Sequence, residues 1–190
     1  MYKETITNEE LAQLPLEKFE GEIILVDSPN KVKQAAEELN KSHIIGFDTE
    51  TKPSFKKGHV NKVALLQLST PNRAFLFRIN RIGLPHEIRE VLGNSTIVKS
   101  GVAIRDDIKG LCEIKNFKPA GFIDLQNTAK ELGIQNFSLK KLSGIVCGFR
   151  ISKSQQLSNW EAHDLTKAQQ LYAATDAWAA LKIYQHIVEN

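Results

Sequence analysis

Ile44-Ile45-Gly46-Phe47-Asp48-Thr49-Glu50 sets the strongest constraint on the fold: an apolar run that ends in two carboxylates. Alternate side chains on a strand share a face, so Asp48 and Glu50 point one way while Phe47 and Thr49 point the other. Like charges one step apart repel, and burial of either is costly without a partner. A divalent cation is a natural remedy, because hard oxygen ligands suit magnesium or manganese. Asp-x-Glu also occurs where a strand simply emerges into solvent, so the rest of the chain must decide.

The 190 residues suffice for one domain with a substantial core, and the composition is that of an ordinary globular protein. No apolar run approaches the roughly 18 residues that span a membrane. Met1-Tyr2-Lys3-Glu4-Thr5 lacks the pattern of an export signal, so an intracellular protein, cytoplasmic if bacterial, is expected. Cys112 and Cys147 have no metal-ligand spacing and read as reduced thiols. A net charge of +3 permits a polyanionic partner without demanding one.

Residues 1–20 read as an N-terminal arm lying on a domain of residues 21–190, with Thr7-Asn8-Glu9-Glu10-Leu11 able to cap a short helix before Pro15. A strand over 22–27 precedes a helix from about Lys31, whose Val32, Ala35, Ala36 and Leu39 recur at helical spacing. Val63-Ala64-Leu65-Leu66-Gln67-Leu68 is nearly continuous in apolar side chains, so both faces of that strand are expected to be covered. Pro71-Asn72 turns it into Ala74-Phe75-Leu76-Phe77, giving a hairpin. Short strands are expected at 96–98 and 122–124. Helices are expected near 85–92, 105–112, 125–132 and 138–145, with irregular chain over 147–165 and a long final helix over 167–188. This mixture predicts an α/β layered sandwich with a mixed central sheet flanked by helices.

Thr166-Lys167-Ala168-Gln169 forms a capping box that fixes the first turn of the final helix. Tyr172 and Asp176, at i and i+4, then share one face of a helix that is otherwise apolar around Leu171, Ala177, Ala180 and Ile183. Between Gly101 and Leu111 lie two further acids. Asp106 suits a capping or solvent role, whereas Asp107 shares a face with Leu111 and should look inward.

These acids resemble the motifs of the DEDD superfamily of 3′→5′ exonucleases, in its tyrosine-bearing subgroup of ribonuclease D and Werner type. The first motif matches Phe47-Asp48-Thr49-Glu50 with Val63 to Leu68, and the second matches Lys99 through Leu111. The third matches Tyr172-Ala173-Ala174-Thr175-Asp176-Ala177, and Ser158-Asn159-Trp160 is similar to the segment that precedes it in this branch. One departure is Val102-Ala103, where the family often has Val-Gly; the neighbouring Asp106 also leaves the register of the second-motif acid open by one position.

The resemblance implies a ribonuclease H-like fold and a metal-dependent exonuclease that shortens nucleic acid from the 3′ end to nucleoside 5′-monophosphates. It implies two magnesium or manganese ions held by Asp48, Glu50, Asp107 and Asp176, with Tyr172 orienting the attacking water, and no organic cofactor. The partner is then a DNA or RNA 3′ end. Lys52, Lys56, Lys57, His59 and Lys62 form a basic stretch able to meet phosphates; of these, Lys56, Lys57 and Lys62 are the candidate nucleic-acid contacts. Lys140 and Lys141 carry a weaker version of the same signal, Trp160 reads as core, and His163-Asp164 as loop. Two other readings are open: an adaptor that keeps the fold without hydrolysis, and a ribonuclease H-like endonuclease, which leaves Tyr172 without a role.

Overall fold

Ile45 and Phe47 are fully shielded from solvent, and β2 (Ile44–Thr51) is hydrogen-bonded to a strand on each side, which sets it inside the sheet rather than at its edge. The protein is described here by a computed structural model covering residues 2–54 and 61–189. The other strands are β1 (Glu22–Val26), β3 (Val63–Ser69), β4 (Arg73–Phe77), β5 (Val98–Gly101) and β6 (Phe122–Asp124). Their order across the sheet is β1-β4-β3-β2-β5-β6. The sheet is mixed: β2, β3 and β4 run antiparallel to their neighbours in turn, while β1 joins β4, β5 joins β2 and β6 joins β5 in parallel.

The helices are α1 (Asn8–Gln13), α2 (Pro29–Leu39), α3 (Ile79–Ile82), α4 (His86–Gly93), α5 (Arg105–Ile114), α6 (Leu125–Glu131), α7 (Leu139–Leu142) and α8 (Lys167–Glu189). One face of the sheet is covered by α2, α4 and α5, whose Val32, Leu39, Ile88, Leu92 and Leu111 pack with Phe47, Leu66 and Phe75. The opposite face carries α8, with Ala173, Ala174 and Ala179 against Leu65 and Leu76. This is the expected α/β sandwich. Every residue of β3 is buried, in keeping with a strand covered on both sides.

Residues 98–101 are the strand beside β2, so the predicted short strand at 96–98 is displaced towards its C-terminal end. Lys99 and Ser100 make this segment look like loop. The structure accommodates the lysine by letting its ammonium donate to the carbonyls of Asn94 at 2.6 Å and Ile97 at 2.7 Å. Burial pulls its pKa down to about 8. The helix expected over 138–145 is α7 followed by a π-helical turn at Ser143–Cys147. In the arm, Thr7 and Glu10 form a capping box, and Phe19 is buried with its amide donating to Thr175 Oγ1 at 3.1 Å.

Ala103, the residue that stands where the resemblance expects glycine, has φ of 58°, and it is the only non-glycine with positive φ among the described residues. A Cβ in that region costs about 1–2 kcal/mol, part of which glycine gives back as unfolded-chain entropy. Ala103→Gly is therefore expected to stabilise the protein by about 0.5–1 kcal/mol, raising Tm by about 2 °C in thermal unfolding followed by circular dichroism. A lower Tm would contradict this account of the turn.

Candidate active site

Side-chain alternation along β2 delivers Gly46, Asp48 and Glu50 to the face covered by α8. At its other edge the helix is fixed by the predicted box: Thr166 N–H donates to Gln169 Oε1 at 2.9 Å, and Gln169 N–H to Thr166 Oγ1 at 3.2 Å. One turn on, Tyr172 and Asp176 are both buried against the sheet. Carboxylate oxygens of Asp48, Glu50 and Asp176 all lie within 4.8 Å of one another.

Such crowding has an electrostatic signature. Burial, with the charges of Asp176 and Asp107 adding to it, holds the Asp48 carboxyl well above the usual carboxylate range. The same burial, together with Asp48, pushes Glu50 up to about 10. Asp176 is pushed up to about 7 by burial, against the opposing pull of the Tyr172 hydroxyl and the Lys153 ammonium. Asp176 Oδ1 is buried without a hydrogen-bond partner among the described residues. An all-oxygen donor set, mutually repelling and with one acceptor left unsatisfied, is what a hard divalent cation would satisfy. The residues fit such an ion.

Asp107 arrives differently. It is half-buried while Asp106 is exposed, and Ile104, not Asp106, occupies the cap position of α5; no side-chain cap bond is made there. Asp107 lies on the α5 side of the sheet and accepts a hydrogen bond from the hydroxyl of Thr49, the β2 residue that faces away from Asp48 and Glu50. It stands outside the three-carboxylate cluster, although its charge is felt by both Asp48 and Glu50.

Tyr172 keeps its proton: burial first, then the nearby Asp176 and Glu50 charges, raise its pKa above that of a free phenol. Its ring lies 6.0 Å from that of Trp160, which is fully buried. A cavity of about 200 Å³ opens beside these groups, with Asp48, Tyr172 and Asp176 in its wall together with Lys140, Lys153 and Gln156.

Local sequence does not single out Lys153 and Gln156, because Ser152-Lys153-Ser154-Gln155-Gln156 has no periodicity and reads only as polar loop. Lys140, a weak candidate by sequence, is in the wall of the cavity, whereas Lys141 donates instead to the Ile6 carbonyl of the arm. Lys62 is exposed just before β3 and is not part of this wall, and Lys52 pairs with Glu161 at 3.6 Å. Lys56, Lys57 and His59 fall outside the described residues. His163 and Asp164 are exposed and pair with each other at 3.0 Å.

A family model described as 3′-5′ exonuclease matches residues 23–190. Among curated proteins, the mouse bifunctional 3′-5′ exonuclease/ATP-dependent helicase WRN is 33% identical over 184 residues, covering 92% of this chain and 13% of the mouse protein. An Arabidopsis thaliana 3′-5′ exonuclease is 29% identical over 187 residues, covering 90% of this chain and 65% of that protein. The chain thus spans less than two thirds of these relatives. The crystal structure of the Aedes aegypti Nibbler EXO domain superposes with a TM-score of 0.81 at 25% identity, covering 91% of each chain. Escherichia coli RNase D shares the fold, with a TM-score of 0.78 at 22% identity over 87% of this chain and 44% of that one. The carboxylate cluster, the tyrosine one turn from its last member and the layered fold that holds them are accordingly those of a chain that belongs to the 3′-5′ exonuclease family.

Proposed function

We propose that this chain hydrolyses single nucleotides from the 3′ end of DNA or RNA, releasing nucleoside 5′-monophosphates. The observation that carries the reading is the meeting of Asp48, Glu50 and Asp176 within 4.8 Å, with Asp48, Asp176 and Tyr172 in the wall of a cavity that also presents Lys140 and Lys153. Asp48, Glu50 and Asp176 would hold divalent magnesium or manganese directly, with Asp107 contributing from the Thr49 side, in part through water. Two such ions, when bound, supply electrostatic stabilisation of the attacking and leaving oxygens of an in-line displacement at phosphorus.

The protein's own groups do the rest. Tyr172, protonated at working pH, is a positioner: its hydroxyl orients the attacking water and is too weak an acid to serve as a base at neutral pH. The Thr49 hydroxyl fixes Asp107. Lys140 and Lys153 face the phosphate, offering charge-assisted hydrogen bonds to its non-bridging oxygens. No helix among the described residues is long and apolar enough to cross a membrane.

The test uses 5′-labelled single-stranded DNA and RNA of one sequence, with magnesium, manganese or EDTA. A ladder shortening from the 3′ end, seen only with metal, is expected. Internal cuts would replace the reading with an endonuclease, and binding without cleavage in either metal would replace it with an adaptor. Tyr172→Phe is expected to lower kcat by about 10- to 100-fold while leaving metal affinity, measured by calorimetry, within about twofold. Equal loss of both would remove the positioning role.

A further inference from the structure

A second cavity, of about 390 Å³, lies between the arm and the N-terminal half of α8. Leu16, Glu17 and Lys18 of the arm form one wall, and Ala168, Leu171 and Thr175 of α8 the other. Ser152 and Tyr172 belong to its wall and also to that of the carboxylate cavity, so the two spaces adjoin at the phenol. Their chemistry differs. The first presents acids and lysines. The second is mainly apolar, and Leu16 is held there although it is 56% exposed.

The walls are fixed rather than loose. Glu17 N–H donates to the Arg150 carbonyl and Arg150 N–H to the Pro15 carbonyl, each at 2.9 Å. Arg150 Nε donates to the Leu14 carbonyl at 3.0 Å, and Phe19 anchors the far end of the segment through Thr175 and the Trp178 ring, 6.4 Å away. The family match begins at residue 23, so the arm wall lies outside it.

We infer that the arm-side cavity receives the nucleobase of the nucleotide whose phosphate sits at the carboxylates, which makes the arm part of the substrate site. The inference rests on the nuclease reading of the carboxylate groove. A nucleotide joins an anionic phosphate to a flat base with apolar faces, and two adjoining cavities of matching character meet at Tyr172. Base faces bind apolar and aromatic walls with little regard to sequence, while lysines track the backbone. Lys18 beside the apolar walls and Lys153 beside the carboxylates bracket such a nucleotide. Leu16 and Ala168 then set how well the base is shielded.

The test measures binding of 5′-fluorescein single-stranded 12-mers to the full chain in calcium, with normal bases or with abasic residues at the last two 3′ positions. Wild type is compared with Ala168→Phe, which fills the cavity, and Leu16→Asp, a surface change that leaves the fold intact if the larger substitution does not. Loss of the bases is expected to weaken wild-type binding about tenfold, on the scale of one base–wall contact. Each variant is expected to weaken binding of the normal oligomer by about five- to tenfold and to leave binding of the abasic oligomer unchanged.

Equal penalties on both oligomers, or no binding of either, would overturn the inference. Cleavage is scored in parallel with magnesium. Absence of cleavage with the base-dependent pattern intact sinks the nuclease reading and leaves the cavity as a base site of a strand-binding module. Cleavage with no base dependence removes the cavity assignment alone.

Discussion

Gly46→Ala is expected to unseat α8 from the sheet. A Cβ at residue 46 would stand 1.8 Å from the Ala177 carbonyl oxygen and 2.7 Å from its carbon. Both are backbone atoms of a helix, so no rotamer change can relieve the clash; the helix itself must move by about an ångström or more. Asp176 precedes Ala177, and Asp48 lies two residues beyond Gly46 on the same face, so the displacement separates two members of the carboxylate cluster. A loss of about 3 kcal/mol or more is expected, lowering Tm by about 6–12 °C. At temperatures where the variant is still folded, the rate on a 5′-labelled oligonucleotide should fall by about 100-fold, the usual cost of an ångström of misplacement. Gly133→Ala is the control: a Cβ there meets nothing within 4 Å, and φ of +78° alone should cost about 1 kcal/mol with activity retained. Normal turnover by the folded Gly46→Ala protein would show that the close approach does not set the site.

Asp48→Asn is expected to make the metal-free protein more stable and to abolish turnover. In the native state Asp48, Asp107, Asp176 and Glu50 all hold protons more tightly than unfolded carboxyls do, to about 7 for Asp176 and about 10 for Glu50. Above about pH 4 the folded state therefore binds more protons than the unfolded state, and stability without metal falls as pH rises through that range. Divalent metal opposes this by binding the deprotonated cluster, so its stabilising effect should be larger at pH 8 than at pH 5. Removing the central charge should raise Tm in EDTA at pH 8 by the equivalent of about 1–3 kcal/mol, flatten the pH slope and eliminate the rise with magnesium. The exonuclease rate should drop by about 10³-fold or more. Differential scanning calorimetry at the two pH values, with and without magnesium, checks each part. A variant that loses stability in EDTA, or still responds to magnesium, would show that Asp48 is not the centre of the cluster.

Much of the site is legible because it rests on local periodicity. Alternation puts Asp48 and Glu50 on one face, the i, i+4 spacing pairs Tyr172 with Asp176, and the Thr166–Gln169 box fixes the helix that carries them. The covered β3 and its hairpin with β4 follow from apolar continuity and the Pro71-Asn72 turn. What local pattern misses depends on long-range partners. β5 can include Lys99 because the carbonyls of Asn94 and Ile97 accept hydrogen bonds from its ammonium, which no hydropathy pattern reveals. Lys153 stands by Asp176 because an aperiodic loop returns past the site.

The sequence by itself determined which chemistry is available: four acids, a tyrosine and the elements that bear them, since side-chain type and strand or helix period are local properties. Only the tertiary structure decided how they meet. It brought three carboxylates within 4.8 Å, set Asp107 on the Thr49 side of the sheet, and joined the arm to the neighbourhood of Tyr172. Those distances depend on how closely α8 can lie on β2 at Gly46 and on the path of loops with no repeat, and packing of distant segments sets both.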